Sequence, residues 1–205
     1  MTIRQRATGR ALAGVGLAAW LVPDPALARD DAVLRPPSAL ESITDTRRRS
    51  EALFVEAGKV LQHPRCVNCH PTGDRPLQGA AGRLHEPAVR RGADGHGVPG
   101  LHCTACHQAA NYDAVGMPGH PKWGVAPASM AWQGRSIAEI CEQVKDPARN
   151  GGHTLPEIVD HMARDSLVGW AWSPGIGREP APGTQAALGE LIKAWVDTGA
   201  VCPGR

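Results

Sequence analysis

Two pentapeptides with the same pattern constrain this chain more than any other feature. They span Cys66–His70 and Cys103–His107, and both read Cys-x-x-Cys-His. Two thiols at this spacing can add to the two vinyl groups of one porphyrin, and the adjacent imidazole then lies under the iron as its proximal ligand. We therefore expect two covalently bound haem c groups, with His70 and His107 on the irons. The four thioether bonds would come from Cys66, Cys69, Cys103 and Cys106.

Zinc sites and thioredoxin-like redox centres are the competing interpretations, because both use Cys-x-x-Cys pairs. Neither needs a histidine directly after the second cysteine, and both motifs of this chain have one. A zinc ribbon separates its two cysteine pairs by about 15–20 residues. The gap from Cys69 to Cys103 is much longer, so the motifs favour haem over zinc.

The N-terminus has the three parts of a secretory signal. Three arginines stand in the first ten residues, and the apolar run Ala11–Val22 follows them. Ala26–Ala28 supplies a small-x-small cleavage site. The apolar run is shorter than the ~20 residues that span a bilayer. We therefore expect a signal peptide over residues 1–28, cleavage near Ala28, a periplasmic location and no membrane span in the mature chain.

The composition predicts a loop-rich fold with a thin apolar core. Only 4% of the residues are aromatic, and the chain has 24 glycines and 18 prolines. Two buried macrocycles would supply the missing apolar surface. We expect a mainly α fold with long irregular loops and helices packed around two haems, with a flexible lead-in over 29–50 and a dihaem cytochrome c domain over 51–205. The formal net charge of +2 gives no reason to expect binding to nucleic acid.

Helical periodicity and capping signals predict four helices. They run from near Ser50 to the first motif, from Ile137 to about Asp146, from Leu155 to about Asp165, and from near Thr184 to Gly199. Ser136 and Thr154 each stand three residues before a glutamate, which is the capping-box pattern. The segments 71–101 and 108–133 show no sustained period, so we expect irregular but ordered chain there.

Two of the six cysteines lie outside the haem motifs. Cys141 and Cys202 remain as an even pair in an exported chain. Disulfides persist in oxidising compartments. We therefore expect a disulfide that joins a late helix to the C-terminal tail, with two free thiols as the alternative.

Each iron needs a sixth ligand or an open coordination site, and the choice separates electron transfer from ligand binding or catalysis. Histidines directly before the motifs are poorly placed to reach the opposite haem face. His153 and His161 lie at or in predicted helices, where a histidine is ordinarily a surface or core residue. The candidates that remain are His85, His96, Met117, His120 and Met130.

Five runs of the chain resemble a family of exported bacterial proteins labelled isoquinoline 1-oxidoreductase subunit. The likeness extends from about Val60 to Pro203, and the runs are His63–Pro71, Gly73–Gln78, Ala126–Gly134, Lys145–Gly152 and Gly177–Gln185. Members of the family look like small dihaem cytochromes that accompany molybdenum hydroxylases of the xanthine dehydrogenase type. Nothing in this chain resembles the molybdopterin or iron–sulfur parts of such an enzyme. The resemblance thus implies that oxidoreductase activity belongs to partner subunits.

The resemblance also implies a set of axial ligands. His70 and His107 match the proximal positions of the family, and His85 and Met130 match the positions of distal ligands. We expect Met130 to serve the haem of the second motif and His85 to serve the haem of the first. A polarizable thioether in the irregular stretch around Met130 suits ferrous iron, while a plain core methionine is the alternative.

Four further residues remain open as ligands. Met117 is the next candidate thioether. His161 lies in the run His161–Asp165, which also looks like the family, and it stays an outside candidate. His96 and His120 fall where the family pattern is looser.

Two haems in an exported chain predict an electron-transfer protein. The resemblance makes its donor a partner dehydrogenase of the molybdenum hydroxylase type, and the acceptor would be a downstream cytochrome or oxidase. The main competing function is that of a dihaem peroxidase-like enzyme, in which one iron is five-coordinate and His96 or Glu86 helps to cleave peroxide. Two further functions fit the motifs less well, namely a haem-based sensor or ligand-binding module and a zinc-binding structural protein.

Overall fold

The protein is mainly helical, as predicted. A computed structural model describes residues 33–204, and 41% of these residues are helical while 6% are in strands. The helices are α1 (Thr46–Leu61), α2 (Pro64–Val67), α3 (Ile137–Val144), α4 (Leu155–Arg164), α5 (Ser166–Gly169) and α6 (Gln185–Asp197). The strands are β1 (Leu77–Gln78), β2 (Arg83–Leu84), β3 (Gly97–Val98) and β4 (Leu101–His102). The signal peptide predicted over 1–28 lies outside the described residues.

The core lies where α6 packs between α1 and α4. Phe54 of α1 meets Trp195 of α6 with ring centroids 4.8 Å apart, and both side chains are fully buried. Leu191 and Ile192 complete this contact with no exposed surface. Burying a large apolar side chain contributes about 1.5–3 kcal/mol, so this helical layer is a stable support for the loops that follow it.

The segment 29–50 was expected to be a flexible lead-in, but its described part, from residue 33, contains buried side chains. Leu34 and Leu40 are buried in the helical core, so the chain from residue 33 onward packs on the domain. Helix α1 begins at Thr46 rather than near Ser50, because the Asp45 carboxylate accepts a hydrogen bond from Arg48 N at 2.8 Å and caps the helix.

Both predicted capping boxes form. Ser136 Oγ accepts a hydrogen bond from Glu139 N at 3.3 Å, and the Glu139 carboxylate accepts one from Ser136 N at 2.9 Å. The Glu157 carboxylate accepts hydrogen bonds from the backbone N–H and the hydroxyl of Thr154. The predicted helices over 137–146, 155–165 and 184–199 are therefore confirmed, with ends that differ by one or two residues.

The predicted disulfide between Cys141 and Cys202 is also confirmed, with the two Cα atoms 5.6 Å apart. It joins α3 to the C-terminal tail. The tail that follows α6 is thus tied back to the helical core.

The irregular region after the first motif contains two short antiparallel ribbons, β1 with β2 and β3 with β4. Each strand has two residues, which is too short to leave a periodic signal in the sequence. Arg91, which is 7% exposed, holds this region together: its guanidinium donates hydrogen bonds to the carbonyl oxygens of Pro71, Gly73 and Ala126. Within residues 33–204, no helix has the length and apolar character needed to cross a membrane.

Candidate functional site

Each Cys-x-x-Cys-His motif lines a cavity of its own. The first cavity, of about 420 Å³, has Cys66, Cys69 and His70 in its wall. The second cavity, of about 390 Å³, has Cys103, Cys106 and His107 in its wall. Both walls are mainly apolar, as a porphyrin site requires. The two cavities share part of their lining, namely Arg65, Cys69, Trp123, Gly124, Val125 and Trp170.

His70 is held in an orientation that suits an axial ligand. Its Nδ1 donates a hydrogen bond to the carbonyl oxygen of Met130 at 2.7 Å. The Trp132 ring stacks on the imidazole with centroids 3.6 Å apart and planes at 7°. A hydrogen bond from one ring nitrogen to a backbone carbonyl fixes the tautomer and leaves the other nitrogen as the metal ligand. Nε2 of His70 is therefore the nitrogen available to iron.

His107 has the same environment in the second cavity. Its Nδ1 donates to the carbonyl oxygen of Pro118 at 2.8 Å, and Trp123 stacks on its ring with centroids 4.6 Å apart and planes at 19°. Both stacking tryptophans follow a proline by five residues, Trp123 after Pro118 and Trp132 after Pro127. This short repeat is a sequence signal for the two supports that the motif search alone misses.

The imidazoles of both motifs are held in the neutral form. Burial lowers the pKa of His70 to about 4, although its bond to the Met130 carbonyl opposes this shift. Burial also lowers the pKa of His107, again against the bond to Pro118. Neutral imidazole is the form of histidine that coordinates a metal, and both side chains are neutral at neutral pH.

Burial keeps the cysteines of the first motif in the neutral thiol form. It raises the pKa of the Cys66 thiol to about 12 and that of Cys69 to about 11. A redox-active pair needs a thiolate near neutral pH, so these thiols are unlike a thioredoxin-like centre. Among residues 33–204, no three or more His, Cys, Asp or Glu side chains are grouped as a metal site. The four cysteines do not converge on one point, which argues against the zinc interpretation.

His85 lies in the second cavity rather than in the first, where it was expected. Its ring centroid is 5.8 Å from that of His107, with planes at 64°. Its Nδ1 donates to the carbonyl oxygen of Pro87 at 3.0 Å, which leaves Nε2 free. Metal–imidazole bonds are about 2.0–2.1 Å long, so two imidazoles on one metal have centroids about 6 Å apart. The spacing of His85 and His107 matches such a pair.

Met130 lies in the first cavity rather than in the second, where it was expected. Its side chain is 6% exposed, and its own carbonyl oxygen is bonded to the outer nitrogen of His70. The Met130 backbone therefore lies against the outer nitrogen of His70, and Met130 lines the first cavity but not the second. The structure thus places Met130 as a support for His70 and away from the second motif.

The position of Met130 in the first cavity has a clear origin in the path of the chain. The segment that follows the second motif first passes the second cavity, where Pro118 and Trp123 contact His107. It then returns to the first motif, where Ala126 N donates to Cys69 O and Trp132 N donates to His70 O, each at 2.9 Å. Sequence order alone does not reveal this return.

His161 is the histidine that α4 presents to the first cavity. Burial lowers its pKa, while the nearby Asp165 carboxylate opposes that shift. His70 lines the same cavity. Met162, which is 4% exposed, and His153 line the same cavity. Helical periodicity does not distinguish a ligand on α4 from an ordinary buried histidine, so the sequence pattern alone does not single out His161.

The other candidate ligands are placed less favourably. Met117 lines the second cavity beside His107. His96 lines the first cavity but is exposed, and its Nδ1 donates to the Trp123 carbonyl at 3.1 Å. His120 lines neither cavity, and its Nδ1 accepts a hydrogen bond from Lys122 N at 3.1 Å.

The cavity walls contain buried polar atoms without hydrogen-bond partners, and these atoms indicate what kind of group would fit the sites. Among residues 33–204, buried side-chain atoms without a hydrogen-bond partner include Arg65 Nε, Asn68 Oδ1 and Trp132 Nε1. All three residues line one or both cavities. A buried polar group without a partner costs about 1–3 kcal/mol, so the walls are suited to a large apolar group that carries polar atoms. Haem, with its macrocycle and two propionates, meets this description.

Comparisons of the chain with protein-family models, with curated proteins and with solved structures find no match. The two cavities and the motifs that line them therefore carry the functional conclusion.

Proposed function

We propose that the protein is an exported dihaem c-type cytochrome that transfers electrons. The observation that carries this proposal is the repeated arrangement of the two motifs. In each, the cysteines and the histidine line one cavity, and Nδ1 of His70 or His107 donates to a backbone carbonyl so that Nε2 is left for iron. Thioether bonds would form at Cys66, Cys69, Cys103 and Cys106. Covalent haem supplies the reversible one-electron chemistry, and the protein supplies ligands and burial.

We assign His85 as the second axial ligand of the haem on the second motif. Its support is the 5.8 Å spacing from His107, and Met117 is the alternative in that cavity. We assign His161 to the haem on the first motif, because α4 presents it to the cavity that His70 also lines. Two bis-histidine irons have no open coordination site. Such irons exchange electrons without binding a substrate.

The shared wall supports electron transfer between the two haems. Trp123 and Trp170 line both cavities, and their rings meet edge to face with centroids 4.9 Å apart and planes at 86°. Cys69 also lines both cavities. The two sites share this wall, so haems bound there would be close neighbours.

The partners follow from the resemblance to cytochrome subunits of molybdenum hydroxylases. In this proposal a periplasmic dehydrogenase of that type reduces the protein, and a downstream cytochrome or oxidase accepts the electrons. The second haem is the suitable exchange point, because Cys106 is exposed. The partner enzyme, rather than this chain, would carry the substrate chemistry.

The peroxidase-like function finds less support. Glu86 is 71% exposed and forms an ion pair with Arg75 at 2.5 Å, and His96 is held by the Trp123 carbonyl. Redox-monitored visible spectra of the haem-loaded protein separate the two functions. We expect two low-spin, six-coordinate haems in both oxidation states. A high-spin, five-coordinate haem in the wild-type protein would instead favour peroxidase chemistry.

A further inference from the structure

Arg65 has an unusual position directly before the first cysteine. It lines both cavities, and its Nε is buried without a hydrogen-bond partner. The ion pairs formed within residues 33–204 do not include it. A guanidinium that is partly removed from water and has no anion beside it is costly to the fold. Its retention at the cavity wall indicates that an anion binds there.

A second guanidinium adds to the positive charge at this point. Arg178 lines the second cavity, where it donates hydrogen bonds to the carbonyl oxygens of Pro174 and Gly116. Burial lowers the pKa of Arg65, and the charge of Arg178 lowers it further. Glu179 opposes this shift from a distance, but its side chain is exposed and forms no ion pair with Arg65 within residues 33–204.

We infer that Arg65, together with Arg178, binds a propionate carboxylate of the haem in the second cavity. This inference rests on the proposed function and names the residues that receive the charged edge of the cofactor. Arg178 lines only the second of the two cavities, so an anion that relieves both guanidinium groups lies on that side. Arginine suits the role because its planar donors match the two oxygens of a carboxylate.

The pairing has an electrostatic consequence for the second haem. A positive charge beside a redox centre favours the reduced state, and a propionate without a partner favours the oxidised state. Removing the Arg65 charge therefore lowers the midpoint potential of the second haem. The first haem shifts less in the same direction, since Arg65 also lines its cavity.

The test compares Arg65→Gln, Arg65→Lys and Arg178→Gln with the control Arg90→Gln in haem-loaded full-length protein. Arg90 is 72% exposed, pairs with Asp74 and lines neither cavity, so its substitution removes the same charge elsewhere. Intact mass first establishes haem content, and potentiometric titration with visible detection then gives two midpoint potentials. The component whose spectrum changes in His85→Ala marks the second haem.

We expect the midpoint potential of the second haem to fall in Arg65→Gln and to fall less in Arg178→Gln. In Arg65→Lys, which keeps the positive charge, it should stay close to the wild-type value. The control should match the wild type. Two-haem Arg65→Gln protein with the potentials of the control would overturn the inference while leaving the proposed function intact. If Arg65→Gln does not mature, Arg178→Gln decides, and an unchanged midpoint potential of the second haem in that variant would overturn the inference. Wild-type protein without haem would instead reject the proposed function itself.

Discussion

His85 and His107 are neighbours in the second cavity, with ring centroids 5.8 Å apart and ring planes at 64°. Each imidazole donates through Nδ1 to a backbone carbonyl, from His85 to Pro87 and from His107 to Pro118. In each ring this bond leaves Nε2 as the nitrogen that could coordinate a metal. The pair is the basis on which we propose His85 and His107 as the ligands of one haem.

The first prediction concerns His85. Replacing it with alanine removes one axial ligand, so the second haem should become high-spin or take up an external ligand. Visible and electron paramagnetic resonance spectra of His85→Ala measure this change. His120→Ala is the matched control because His120 lines neither cavity. A His85→Ala protein with two unchanged low-spin haems would show that Met117 or another group is the ligand.

The second prediction separates His161 from Met130 at the first haem. His161→Ala should make the first haem high-spin. Met130→Ala should leave both haems low-spin but destabilise the protein by about 2–5 kcal/mol, because it removes a buried side chain next to His70. Chemical denaturation together with the same spectra measures both effects. Loss of low-spin character in Met130→Ala, with none in His161→Ala, would reverse this assignment.

The third prediction concerns the disulfide between Cys141 and Cys202. The residues are separated by 61 positions, and a closed loop of this size stabilises a fold by about 4 kcal/mol in the chain-entropy model. The double variant Cys141→Ser with Cys202→Ser should lose that much free energy of unfolding, while haem content stays the same. Alkylation of the unreduced, denatured wild-type protein provides the direct check. Labelling at both positions would show that the bond does not form in solution.

The fourth prediction concerns stability at acid pH. Glu56 is 1% exposed, which by itself raises the pKa of its carboxyl, but bonds from Arg35 and Lys59 outweigh this effect and hold the pKa below its ordinary value of 4.5. A carboxylate with a lowered pKa in the folded state stabilises the fold above its unfolded pKa and loses this contribution as the pH falls through the folded value.

Glu56→Gln should therefore cost roughly 1.5–3 kcal/mol at neutral pH, since hydrogen bonds to a charged group are replaced by weaker ones. The difference from the wild type should shrink as the pH falls below 4.5. Urea denaturation at several pH values measures it. Glu51→Gln is a suitable control, because its ion pair with Arg47 is on the surface. A difference that is constant with pH would contradict the role given to Glu56.

Local patterns predicted much of this structure. The capping glutamates Glu139 and Glu157 marked two helices, because a helix start is decided by groups three residues apart. The pairing of Cys141 with Cys202 followed from the cysteine count. The start of α1 was missed because Asp45 was not recognised as its cap.

The cavity that each candidate ligand lines could not be predicted in the same way. His85 and Met130 are distant in sequence from His107 and His70, the residues that they contact. The return of the chain from Trp123 to Trp132 places Met130 at the first cavity. Long-range contacts of this kind leave no local period. The unsatisfied Nε of Arg65 is likewise visible only once both cavities have formed.

Intact mass spectrometry of the protein, matured in a host that attaches c-type haem, tests the central claim most directly. The account predicts a mature chain that carries the mass of two haems, with none attached when all four motif cysteines, Cys66, Cys69, Cys103 and Cys106, are replaced by serine. Digestion should place one haem on each Cys-x-x-Cys-His peptide. A wild-type chain with a single haem, or one with bound zinc and no haem, would contradict the account.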